Sequence, residues 1–258
     1  MNPVGRIFLA NVGANRSHPV RSPLFTDGTF EFIPIPESED FQFPPVPRYC
    51  DLSCFNREKP LSDYLPERYA RFHAHRDPDF EQLTYGDLCH SAPRAAGLKK
   101  IREGDLLFFL SRLVPFREGR FEDRTAGFFL VGVLEIEEVF ADIRGEPSGR
   151  AQRRIGRNAH VLRGLVDPSR FDGFWVFAGG KNSLRFRRPV SVNRKLAEEI
   201  FRDSRGIHWN WSRRSELQVI GSYTRSCRMV IDPRSREGAR AASKLFSAVQ
   251  RKNPEFPW

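Results

Sequence analysis

The sequence predicts an α+β fold: a curved or barrel-like, mainly antiparallel sheet with peripheral helices and long loops. Apolar runs of strand length recur at residues 7–12, 105–110 and 125–139, and runs of that kind need cover on both faces. The strongest helical periodicity comes late, at residues 233–252, where Ala239, Ala242, Leu245, Phe246 and Val249 fall on one face. Between them no strand–helix–strand rhythm is sustained, which argues against a doubly wound parallel sheet.

Residues 7–12 form the first strand, and residues 13–18 a polar loop. Asp27-Gly28 reads as a tight turn, because glycine tolerates positive φ and aspartate bonds its own backbone. Residues 29–35 alternate as a strand, with Pro34 and Pro36 suited to an edge. Residues 37–66 hold Pro44, Pro45, Pro47, Pro60 and Pro66 without periodicity, the pattern of a long surface loop. A short helix is expected at residues 64–73, and another at residues 92–100 with Ser91 as N-cap. Residues 125–139 begin buried and then alternate Leu134, Ile136 and Val139 with Glu135, Glu137 and Glu138, as a strand leaving the core does. Residues 145–156 read as a flexible arginine-rich loop. Short strands are expected at residues 173–178 and 184–188, a helix at 193–202 capped by Ser191, and a strand at 216–223. The whole chain, residues 1–258, reads as a single domain closing on a C-terminal helix at about residues 234–252.

The net charge of +10 is concentrated. Residues 1–143 carry a net −5, residues 144–214 a net +11 and residues 215–258 a net +4. Such a basic segment attracts polyanions, unless its arginines pair with the acidic first half. No apolar run approaches the roughly 18 residues of a membrane span, and the N-terminal patch is too short for a secretory signal. A cytoplasmic protein without a membrane partner is expected. Four cysteines in 258 residues do not make a disulfide scaffold.

Several segments carry a more specific pattern. Residues 21–36 read RSPLFTDGTFEFIPIP, residues 75–80 HRDPDF, residues 104–109 GDLLFF and residues 158–160 NAH, with the long apolar strand at residues 127–139 in its place among them. In that order they resemble the third family of nucleotide modification associated domains. That family opens with an apolar strand and a PSP(I/L)F-x-DGT…PIP segment, followed by H-x-DPD and GDL-F-F boxes and an N-x-H or H-x-H segment. The resemblance implies association with nucleic-acid modification systems rather than any one reaction, and it favours a functional role for His75, Asp77 and Asp79.

The residues themselves suggest where chemistry could sit. His73, His75, Asp77 and Asp79 supply two imidazoles and two carboxylates within seven positions, enough for proton transfer or metal ligation. Pro78 keeps Asp77 out of the helical region, and in an extended stretch all four would share a face. The plain alternative is a polar turn. Downstream, His160 could read a base edge or donate a proton, Asn158 suits an adenine-like edge, and Arg163 suits phosphate. Lys181, Arg185, Arg187 and Arg188 beside Phe174 and Trp175 combine cations with aromatic surface, as single-stranded or flipped nucleotides require. Only one of the alternating aromatic faces there can be exposed. Trp209, Tyr223 and Arg225 form a third group of stacking and donor residues. Asp27, His75, Asp77 and His160 are expected to meet in one cleft. A zinc site from Cys50, Cys54, His73, His75, Cys89 and His90 has loose spacing and is disfavoured. Neither a Walker loop nor a dinucleotide fingerprint is present, so no cofactor or metal is assigned.

Two functions follow. One is a nucleic-acid or nucleotide-binding protein of a modification or restriction system, gripping phosphate through residues 144–214 and reading a modified base. The alternative is an enzyme acting on a base or nucleotide at a His/Asp site built from His75, Asp77, Asp79 and His160. A pocket in which the acidic box meets His160 favours the enzyme; one lined by aromatics and arginine alone favours the reader.

Overall fold

The computed structural model describes residues 5–203, 205–212 and 214–258. Strands β1 (Ile7–Asn11), β2 (Ser22–Leu24), β3 (Ile35–Pro36) and β4 (Ala74–His75) lie in the first third. They are followed by β5 (Thr84–Asp87), β6 (Leu106–Arg117), β7 (Arg120–Phe121) and β8 (Gly127–Ile143). Helices α1 (Gly149–Ile155) and α2 (Ala159–Val166) lead to β9 (Phe174–Gly179) and β10 (Leu184–Ser191). Helices α3 (Arg194–Ile200) and α4 (Glu216–Tyr223), strand β11 (Arg228–Ile231) and helix α5 (Arg236–Gln250) complete the order.

The three apolar runs become β1, β6 and β8, side by side in one sheet whose path is β11-β1-β6-β8-β9-β5. Strands β2 and β7 also pair with β6, and β10 with β8. Pairing is antiparallel except that β1 and β2 run parallel to β6. Residues 106–114 of β6 are all buried, as a strand covered on both faces should be. Phe30, Phe32 and Tyr85 join the central strands in one core with Val219, Leu245 and Val249 of α4 and α5.

The path of the sheet ends at β11 and β5 without closing, so the expected mainly antiparallel sheet is present but not as a closed barrel. Strand β8 links the two halves of the sheet. Its 17 residues pair with β6 and β10 early and with β9 from Ile136 onward. Its register with β9 shifts between Ile136 and Glu138 and again between Phe140 and Ile143. Irregularities of this kind bend a strand; here β8 passes the sheet from one set of partners to the next.

Local structure departs from expectation where capping or distant packing decides. Residues 216–223 are helical, because Ser215 and Gln218 form a reciprocal capping box and Val219 and Ile220 turn into the core. Residues 145–156 hold α1 instead of a loop alone. At residues 64–73 and 92–100 only short 3-10 turns form, Leu61–Tyr64, Glu67–Tyr69 and Ala96–Lys100. In place of an alternating strand at 29–35, Phe30, Glu31, Phe32 and Ile33 are all buried, and the strand lies before the Asp27-Gly28 turn, as β2. The proline-rich stretch is packed: Tyr49, Leu52 and Leu61 form a second core with Ala14, Val20, Ile33 and Ala74. The Tyr49 hydroxyl donates to the Pro34 carbonyl at 2.7 Å.

One contact closes the C-terminal side. The β10 register against β8 breaks between Arg185 and Val190. There the buried Asn253 accepts from the Arg187 and Arg188 amides (2.9 and 3.0 Å) and donates to the Arg188 carbonyl (2.9 Å). Its side chain bonds the β10 backbone where the regular ladder with β8 is interrupted. Among the described residues no helix is long and apolar enough to cross a membrane.

Candidate functional site

The site begins with two short strands. Antiparallel pairing of β3 with β4 sets Ile35 opposite His75 and Pro36 opposite Ala74. This register delivers the next residue, Glu37, to His75, whose Nδ1 donates to Glu37 Oε1 at 2.8 Å. Glu37 is buried, and Arg163 donates to its other oxygen from Nε and Nη2 (2.8 and 2.5 Å). Burial raises the Glu37 carboxyl, but the hydrogen bonds and charges of His75 and Arg163 outweigh it and hold the group below its usual range. Burial lowers His75 against the pull of Glu37, so the ring is held toward its neutral form. With Nδ1–H committed to Glu37, the lone pair of His75 Nε2 is left for another partner.

Asp77, two residues on, accepts the Gly86 amide on both oxygens at 2.9 Å. Asn158 is the N-cap of α2. Its carbonyl oxygen accepts the His160 amide (3.0 Å), and its amide donates to Thr84 Oγ1 (3.2 Å) and Asp77 Oδ1 (3.4 Å). One buried asparagine thus ties the start of the helix to β5 and to the Asp77 carboxylate. The cap aims His160 inward, with Nε2 3.4 Å from Asp77 Oδ2. The ring stacks on Phe174 (centroids 5.4 Å apart) and meets His75 edge-on (5.1 Å). Arg163 lies one turn further on the same face of α2. The donor atoms of His75, Asp77 and His160 all lie within 4.8 Å of one another.

A cavity of about 240 Å³ opens beside this cluster, lined by Val46, Ala74, Arg76, Asp79, Arg157 and Ala159 among others. These are chain neighbours of the three residues, whose own side chains do not line it.

The other expected residues are placed differently. Asp79 is a turn residue: it accepts the Glu81 and Gln82 amides and pairs with Arg76, and burial raises its carboxyl. Asp27 takes no part in the cluster; its carboxylate binds Thr29 and Arg57, and its carbonyl accepts from Arg188. Asn158 and Arg163 are committed to the internal bonds described above. Arg185 is in an ion pair with the buried Glu31 at 2.9 Å. Trp209 is buried between Phe201 and Tyr223, so it packs the core. Lys181, Arg187, Arg188 and Arg225 are exposed, and Tyr223 is half-buried. The cysteine alternative is not assembled, since among the described residues only His75, Asp77 and His160 gather as a metal-type group. Sequence reasoning missed Glu37, Thr84 and Gly86. Glu37 follows the PIP segment, but its role depends on a pairing 38 residues away.

A family model described as nucleotide modification associated domain 3 matches residues 6–187. The chain belongs to this family. No curated protein and no solved structure matches it. For a nucleotide modification associated domain, the location of the cluster is informative: Glu37, His75, Asp77, Asn158, His160 and Arg163 all fall inside the matched segment, whereas Arg188, Trp209, Tyr223 and Arg225 fall outside it. The family's description ties the chain to nucleotide modification.

Proposed function

We propose that the chain is an enzyme acting on a nucleotide or nucleic-acid base within a modification system, with His75, Asp77 and His160 as its reacting centre. The observation that carries this is their convergence: three side chains from two distant segments bring their donor atoms within 4.8 Å of one another. Residues of ordinary polar turns have no reason to gather in this way. The centre holds a largely neutral imidazole, a carboxylate and a second imidazole against that carboxylate, a set able to accept, hold and return a proton. Arg157, which lines the neighbouring cavity and has no carboxylate partner among the described residues, suits a phosphate.

A pure reader is less well supported. Arg163 and Arg185 are taken up by buried carboxylates, and Trp209 is in the core. The test is incubation with plain and modified nucleotides and single-stranded oligonucleotides, with and without divalent metal, followed by mass analysis. A mass change that vanishes in His160→Ala, with oligonucleotide affinity retained, is the expected result. Unaltered substrates together with a preference for one base form would establish the reader.

A further inference from the structure

We infer that His75, Asp77 and His160 bind one divalent first-row transition-metal ion, through His75 Nε2, an Asp77 carboxylate oxygen and the His160 imidazole. The use of this ion in catalysis rests on the reading above; its binding does not.

The donor set argues first. Two imidazoles and one carboxylate suit zinc, iron, cobalt or nickel, whereas calcium and magnesium prefer oxygen alone. Distances argue next. The Asp77–His160 separation of 3.4 Å is long for a hydrogen bond. Two ligand atoms each about 2.1 Å from one ion stand about 3.4 Å apart at the tetrahedral angle. The widest separation in the group, at most 4.8 Å, closes with a shift of about an ångström.

The surroundings are those of a held ligand set. Metal-bound histidines ordinarily donate their second ring nitrogen to a carboxylate or carbonyl, and His75 Nδ1 donates to Glu37, itself fixed by Arg163. Asp77 is held by Gly86 and Asn158. Charge agrees as well: Glu37 is offset by Arg163, while among the described residues Asp77 has no ion-pair partner but the His160 ring. The cluster thus carries a carboxylate that no arginine or lysine among the described residues offsets, which favours a dication. Three protein ligands also leave coordination positions for water or substrate.

The experiment uses untagged full-length chain, dialysed against chelator and titrated with Zn²⁺ and Co²⁺. Calorimetry is expected to show one saturable ion per chain. Among the six histidines, only the ring NMR signals of His75 and His160 are expected to move in step with that ion. Glu37→Gln should weaken binding by about 10–100-fold, and Asp77→Asn or His160→Gln by more, in variants whose circular dichroism matches the parent. Absence of saturable binding, shifts confined to other histidines, or unchanged affinity in folded His160→Gln would overturn the inference. Site binding without any mass change would leave the ion and remove the enzyme. Undiminished turnover in chelator would remove the ion and leave the enzyme.

Discussion

Gly86 has no room for a side chain: a Cβ there would lie 2.6 Å from His160 Cδ2 and 3.0 Å from Asn158 Oδ1. Gly86→Ala is therefore expected to displace the His160 ring and to cost about 1–3 kcal/mol of stability through overpacking. A shifted His160 ring signal and a lowered denaturation midpoint would show both effects; an unmoved ring would refute the first. The cysteines make a second residue-scale prediction. Cys50 is exposed, Cys54 half-buried, and Cys89 and Cys227 buried. Burial pushes the Cys54 and Cys89 thiols up to about 12 and Cys227 up to about 11. At neutral pH a thiol reagent should label Cys50 fast and reach Cys89 and Cys227 only on unfolding. Rapid labelling of Cys89 in folded protein would contradict this packing. At this scale the sequence showed His75, Asp77 and His160, because their side chains name their chemistry. It hid Glu37 and Gly86, whose importance comes from what the fold sets against them.

Elements repeat the distinction. Strands β1, β6 and β8 and helix α5 were readable because apolar spacing alone reports burial. Helix α4 reads as a strand until Ser215 is recognised as its cap, and residues 37–66 read as surface because their apolar residues follow no period. Two substitutions test the energetics. Leu245 of α5 is fully buried, so Leu245→Ala should cost about 2–5 kcal/mol. Ser215→Ala removes the α4 cap and should cost about 1 kcal/mol. Chemical denaturation measures both, and a Ser215→Ala loss as large as that of Leu245→Ala would contradict the smaller contribution expected of a cap.

Across the whole molecule, the basic segment is less free than its net charge suggests. Acids of the first half pair with Arg144, Arg150, Arg154, Arg163 and Arg185. Among the described residues of that segment, Arg153, Arg157, Lys181, Arg187, Arg188, Lys195 and Arg214 have no carboxylate partner. At about 0.9 released counterions per contacted phosphate, oligonucleotide affinity should fall with a log–log salt slope between about −2 and −6. A steeper slope would mean that the internal ion pairs open on binding, and a flat one that phosphate is not the contact. The Asn253 contact bears on how this chain can be divided. The family match stops at residue 187, in the middle of β10, whereas the side chain that completes the next stretch of that strand comes from residue 253. Expression cut at the family boundary would remove the second half of β10 together with Asn253, and would remove β11, leaving the edge of β1 open to a strand from another molecule. The workable boundary for dissection lies beyond Asn253, and a shorter product should be recovered as aggregate.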